Sequence, residues 1–164
     1  MDAREKYGPY IGVNYEAGIT DCLTVARRVY QEIYNIPVTN YARPTGWEDY
    51  PEFDFFQRLY ATEGFENPTN NVMDLREGDV LFMNVLGPDV NHCAIYLGQN
   101  LILHHLKDHR SAIDSYTYSW RNRVRLVLRH KLRETNICRQ GIQIMELLPD
   151  HLKLRLATNM EQNK

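Results

Sequence analysis

The sequence has few cysteines, almost no net charge and no long hydrophobic run. Its three cysteines, Cys22, Cys93 and Cys138, are odd in number and widely spaced in a chain of 164 residues. That argues against a disulfide framework and gives no paired-cysteine zinc signature. No apolar run approaches the length of a membrane span, so no membrane insertion is expected. The start, Met1-Asp2-Ala3-Arg4-Glu5-Lys6, is no signal peptide, and the expectation is a protein first resident in a cytoplasm. A net charge of −2 gives no electrostatic case for nucleic acid or an anionic membrane. Internal repeats and low-complexity tracts are also lacking.

What remains is an ordinary globular composition, 43% hydrophobic and 24% charged, with a length that suits one domain and an appendage. The near-neutral total hides an asymmetry. Residues 35–77 carry eight acidic and three basic side chains, whereas residues 78–131 carry four acidic and seven basic ones. Such blocks either face different partners or are solvated faces.

The most informative stretch is Ile19-Thr20-Asp21-Cys22-Leu23-Thr24-Val25-Ala26-Arg27-Arg28-Val29-Tyr30. Apolar residues at 23, 26, 29, 30 and 33 fall at helical spacing, with Arg27, Arg28, Gln31 and Glu32 on the other side. Thr20 or Asp21 suits the N-cap, which puts Cys22 at or beside the first helical residue. Free N–H groups and the positive end of the helix dipole favour a thiolate there, and a thiolate is a nucleophile. The Asp21 carboxylate opposes it. Packing as a small buried residue is the competing reading, and a general base elsewhere has to decide.

Residues 7–18, rich in glycine and tyrosine, read as an irregular lead-in. Within them, Tyr10 either packs or turns its hydroxyl to the nucleophile. The helix is expected over 21–34, stopped by Pro37. Residues 36–52 should be loop, Phe53 to Thr62 a shorter helix, and 67–71 a turn. Trp47, Tyr50, Phe53, Phe55 and Phe56 either line a groove or pack in the core.

From residue 78 the period becomes that of strands. Val80–Val85, Asn91–Gly98 and Asn100–His104 are joined by tight turns, which predicts an antiparallel meander. Arg123–Arg129 gives a further strand with one basic and one apolar face. Alternation puts His92, Ala94 and Tyr96 on one face and Cys93, Ile95 and Leu97 on the other, so His92 and Cys93 are not expected to meet the same partner. His92 opens one strand and His104 closes the next, which brings both to one edge. For His104, His105 and His109 a metal site is disfavoured: adjacent histidines on a strand face opposite ways, and no carboxylate completes a ligand set. No cofactor is expected. Beyond Lys131, alternating Ile142, Ile144, Leu152, Leu154 and Leu156 around Pro149-Asp150 suggest a hairpin arm, with a short helix at 145–148 as the alternative.

A helix-opening cysteine, a facing histidine and a group that orients it are the parts of papain-like chemistry, and Cys22, His92 and His104 fill them in that order. Backbone N–H near Cys22, with or without the Tyr10 hydroxyl, would stabilise the oxyanion.

Three pieces of the sequence resemble NlpC-type cysteine peptidases. They are Tyr10 placed 12 residues before the Cys22 of Asp21-Cys22, then Gly78-Asp79-Val80-Leu81, then His92 running into Ile95-Tyr96-Leu97-Gly98 with His104 following 12 residues after His92. A narrower resemblance joins 91–98, Ile102-Leu103-His104-His105, Ser115, Tyr116, Tyr118, Trp120 and 127–130 to the NlpC-type tail-assembly proteins of lambda-like siphophages. The usual Ser-Gly after Asp-Cys is Leu23-Thr24 here, a departure on the substrate side.

The resemblance implies an α+β papain-like fold, with the catalytic helix on an antiparallel sheet of about five strands. It implies a peptidase domain over 1–131, with 35–77 as a groove wall and 132–164 as an extension. It further implies hydrolysis of host peptidoglycan stem peptides after the γ-linked D-glutamyl residue. The partners would be other tail-tip proteins, and the location host cytoplasm during assembly, then the virion tail, with action at the cell wall. The other class of reading is a structural tail-tip component that keeps the fold with little activity; a third keeps the chemistry and transfers the acyl group to an amine.

Overall fold

The computed structural model describes residues 2–41, 60–68, 74–87 and 89–133. The chain divides into two compact units, Met1–His130 and Lys131–Lys164. Only the first three residues of the second are described, so the fold below is that of the first. The expected helix at Phe53–Thr62, the aromatic groove wall, the 67–71 turn and the hairpin arm lie wholly or largely outside the described residues, as does Cys138.

A short helix α1 (Ala3–Tyr7), capped by the Asp2 carboxylate, leads through a 3-10 turn (Gly8–Tyr10) and an irregular loop to the main helix α2 (Cys22–Ile33). Among the described residues six strands follow: β1 (Phe65–Glu66), β2 (Val80–Met83), β3 (His92–Gly98), β4 (Leu101–His104), β5 (Ala112–Ser115) and β6 (Val124–His130). A single helical turn, α3 (Tyr118–Arg121), precedes β6. The sheet order is β1-β6-β2-β3-β4-β5 and every pairing is antiparallel, which makes the fold α+β. No helix among the described residues is long and apolar enough to cross a membrane.

The β3–β4 hairpin turns on Gln99 and Asn100, whose φ values of 48° and 60° suit a type I′ turn. One face of the sheet, with Val80, Phe82, Cys93, Ile95, Leu97, Leu103 and Leu128, packs with Val25, Ala26, Val29 and Tyr30 of α2. The other face carries Leu81, Met83, Ala94, Ile102, Tyr116 and Val127. The Tyr30 hydroxyl donates to the Gly78 carbonyl at 2.6 Å, tying mid-helix to the start of β2.

β6 departs from the clean alternation expected of it. A register shift opposite Phe82 and Met83 sends Leu126 and Leu128 to the α2 face but Val124 to the other. Arg129, expected on a solvated basic face, is buried against Asp79. Its Nε donates to Asp79 Oδ1 at 2.9 Å and its Nη2 to Oδ2 at 2.8 Å. Asp79 also accepts from the Arg76 N–H, and Arg129 Nη2 donates to the Asp74 carbonyl. The carboxylate of the Gly-Asp motif thus clamps the start of β2 to the end of β6.

At Gly64 backbone and packing both demand glycine. Its φ is +85°, and a Cβ there would sit 2.9 Å from His130 Nε2, which is itself bonded to the Glu63 carbonyl. Gly64→Ala is therefore expected to cost about 2 kcal/mol or more in a denaturant titration. A stability within 0.5 kcal/mol of the parent would contradict that.

Candidate active site

Asp21 is the N-cap of α2, with extended backbone angles (φ −102°, ψ −176°). Its carboxylate accepts from the Thr24 N–H at 2.9 Å, the Thr24 hydroxyl at 3.0 Å and the Gly18 N–H at 2.9 Å. Thr24, a departure from the usual motif, therefore serves the cap. Cys22 is the first helical residue and 7% exposed. Its N–H and that of Leu23 have no acceptor within the helix, because the first turn lacks preceding carbonyls. They are the oxyanion donors the geometry offers.

Cys22 packs in one cluster with Cys93 and shares a cleft with His92. The Cys93 thiol, then the His92 imidazole by hydrogen bond and charge, hold the Cys22 pKa well below the ordinary thiol value, against burial and the Asp21 carboxylate. The expectation that His92 and Cys93 serve different partners is corrected here. His92 is the first residue of β3 and pairs with Met83, while pairing to β4 starts only at Ala94. At the end of a sheet, where α2 also begins, strand alternation no longer separates neighbouring side chains.

His104 lies beside His92, with ring centroids 5.5 Å apart in an edge-to-face arrangement. Its Nε2 is 3.0 Å from Asp114 Oδ2. An ionised carboxylate only accepts, so Nε2 carries the proton and Nδ1 is a lone pair. Burial lowers the His104 pKa, and the Asp114 hydrogen bond only partly opposes this. His104 Nδ1 and His92 Nε2 are both buried without a hydrogen-bond partner among the described residues. An acceptor on one ring and an unpartnered nitrogen on the other thus belong to adjacent rings without being bonded. Trp120 covers both rings, at 4.7 Å from His104 and 6.4 Å from His92.

Tyr10 lies elsewhere. Its hydroxyl donates to Glu32 at 3.0 Å, and its ring lies against the Arg28 guanidinium. Burial and then Glu32 push its pKa up to about 12. Glu32 is ten residues along α2 from Cys22, about 15 Å of helix rise. Of the two readings open to Tyr10, packing is the one this geometry supports.

Sequence reasoning missed three residues of the site. Asp114 is one; it sits on β5, diagonal to His104 across the pairing of His104 with Ala112. Tyr15 and His105 are the others. They line the cleft with Cys22 and His92, and Leu86 and Lys107 lie on its exposed rim. Tyr15 is positioned by its loop, since Gly12 and Val13 bond to Ser111, and Thr20 bonds to Asn14 and Glu16. The signal for His105 was the His104-His105 pair, whose opposite faces put one histidine on the α2 side. Among the described residues no group of three or more metal-ligating side chains is placed to hold an ion.

Comparisons with known proteins place the chain in a family. The NlpC/P60 family profile matches residues 10–129, which contain every residue of the site above. The chain is 30% identical over 120 residues to "Tail tip assembly protein K" of Escherichia phage lambda, covering 73% of this chain and 58% of that one. It is 27% identical over 135 residues to the protein of the same name in Escherichia phage N15, covering 80% and 54%. It thus spans little more than half the length of either. Among solved structures, the NlpC/p60 domain of peptidoglycan hydrolase SagA is similar at 18% identity and a TM-score of 0.49, over 76% of this chain and 93% of that one. By the extent of its match to the family profile, the chain belongs to the NlpC/P60 family.

Proposed function

We propose that the chain is a thiol endopeptidase of peptidoglycan stem peptides that works as part of a phage tail tip. The observation that carries the reading is Cys22 at the start of α2, sharing one cleft with His92, with His104 and Asp114 behind that histidine. In the reaction, the Cys22 thiolate attacks the γ-carbonyl carbon of the D-glutamyl residue, and the amine of the diamino acid leaves. The N–H groups of Cys22 and Leu23 take the developing oxyanion. His92 gives its proton to the leaving amine, and the acyl-sulfur bond is then hydrolysed by water that His92 activates. His104 holds the tautomer of His92 once substrate closes the site, and Asp114 holds that of His104. Lys107 on the rim offers a cation to the carboxylates of the stem peptide. Family membership supports the hydrolase, and the names of the phage relatives support a place in the tail.

Those names also favour a second reading, in which the fold serves tail-tip assembly and activity is minor. Mass spectrometry of muropeptides after incubation with diamino-acid-type sacculi chooses between them. New fragments ending in γ-D-glutamate are expected from the free chain or from whole tails. Unchanged muropeptides with both would overturn the peptidase reading and leave the structural one.

A further inference from the structure

His105 follows the last residue of β4 and is 1% exposed. Its Nε2 lies 3.0 Å from the carbonyl oxygen of His109. A carbonyl oxygen only accepts, so Nε2 carries a proton. Burial, the largest influence on this ring, lowers its pKa and keeps it neutral. A neutral imidazole protonated at Nε2 has a bare lone pair at Nδ1, an acceptor with no proton to give. That Nδ1 is buried and has no hydrogen-bond partner among the described residues.

Buried polar atoms are nearly always satisfied, so an acceptor left unmade on a residue that lines a cleft calls for a donor from beyond the described residues. The ring is also held in place. Its own bond to His109 fixes one end, and Tyr15 abuts it edge-on with centroids 5.3 Å apart. His105 shares its cleft with Cys22, Asp21 and His92. It lies with Asp21 and Cys22 at the start of α2, whereas His104 packs against Trp120, which belongs to the other face of the sheet.

We infer that His105 is a specificity-determining residue whose Nδ1 accepts a hydrogen bond from a nitrogen-bound hydrogen, amide or ammonium, of a peptide seated in the Cys22 cleft. The inference rests on the reading of that cleft as a peptidase site. It separates two histidines that are neighbours in sequence: His104 serves His92, and His105 serves the substrate.

The test is nitrogen-15 spectroscopy of the histidine rings in the Cys22→Ala chain, with and without a soluble γ-D-glutamyl–diamino acid peptide. In the free chain His105 Nδ1 should resonate as an unprotonated nitrogen, and added peptide should move it upfield as it accepts a hydrogen bond. Acetylating the peptide's free amine assigns the donor: a shift that disappears marks the ammonium, and one that stays marks an amide. His105→Leu in the same background should weaken peptide binding about tenfold or more. A proton on Nδ1 in the free chain overturns the inference without any ligand. So does an unmoved Nδ1 when shifts around Cys22 report a filled cleft, even if the unsubstituted chain cuts the peptide. If that chain binds the peptide and moves Nδ1 but never cuts, only the peptidase reading falls. A peptide that fails to bind overturns both.

Discussion

Replacing Cys22 with alanine should reduce cleavage of stem peptides by about 10⁴-fold or more, because nothing else in the cleft replaces a nucleophile once its sulfur is gone. The expected change in thermal midpoint is small, about 3 °C or less, since a small side chain is trimmed by one atom without breaking the cap. Asp21 and Thr24 hold the start of α2 independently of the thiol. Cys22→Ser should fare little better, since a serine hydroxyl is far less acidic than a thiol and Asp21 opposes its ionisation. The measurement is the initial rate of fragment release, paired with a melting curve for each variant. Retention of a tenth of the activity by Cys22→Ala would remove Cys22 from the chemistry.

The largest effect on stability is expected at Asp79 and Arg129. Both are buried, and two near-parallel hydrogen bonds join them. Removing one partner strands a charge in the core, which costs about 3–5 kcal/mol. For a chain of this size each kcal/mol moves the midpoint about 2–4 °C, so Asp79→Ala should melt roughly 10 °C earlier. Arg129→Met should do the same, for the same reason. The double replacement Asp79→Leu with Arg129→Met removes both charges and should recover much of the loss. A midpoint unchanged in Asp79→Ala would show that the clamp between β2 and β6 is dispensable.

Much of the scaffold was legible because it follows simple periods. The apolar stripe of α2, the Asp21 cap and the β2–β3–β4 meander all obey helical or strand spacing, and each lies within two residues of where the pattern puts it. Other elements escaped because their stability comes from tertiary contacts. β5 is only partly buried along its length and carries no alternation of burial, so Asp114 went unnoticed as a partner for His104. β1 is two residues long and exists through its pairing with β6. Charge misled at Arg129, where a basic residue on a regular strand is solvated by default but here has a buried partner fifty residues away in the chain. Distance misled at Tyr10, whose spacing from Cys22 matches the family pattern while its hydroxyl is engaged by Glu32. That Cys93 and His92 both neighbour Cys22 was invisible for a geometric reason: alternation holds within a strand and fails at its first residue.

As a nucleophile Cys22 has to be ionised where an ordinary cysteine is protonated. The folded chain lowers its pKa through the Cys93 thiol first and His92 second. Thiolate reactivity should therefore persist as pH falls below the ordinary thiol range and vanish only when pH falls through the lowered value. The most direct measurement is the rate of alkylation of Cys22 by iodoacetamide against pH, followed by peptide mass spectrometry to keep it apart from Cys93 and Cys138. The predicted result is appreciable reaction well below the ordinary thiol pKa of about 8.5. Cys93→Ala should move the profile upward, and His92→Ala should also move it upward. A profile for the native chain centred at the ordinary thiol value, unmoved by either substitution, would contradict the central claim.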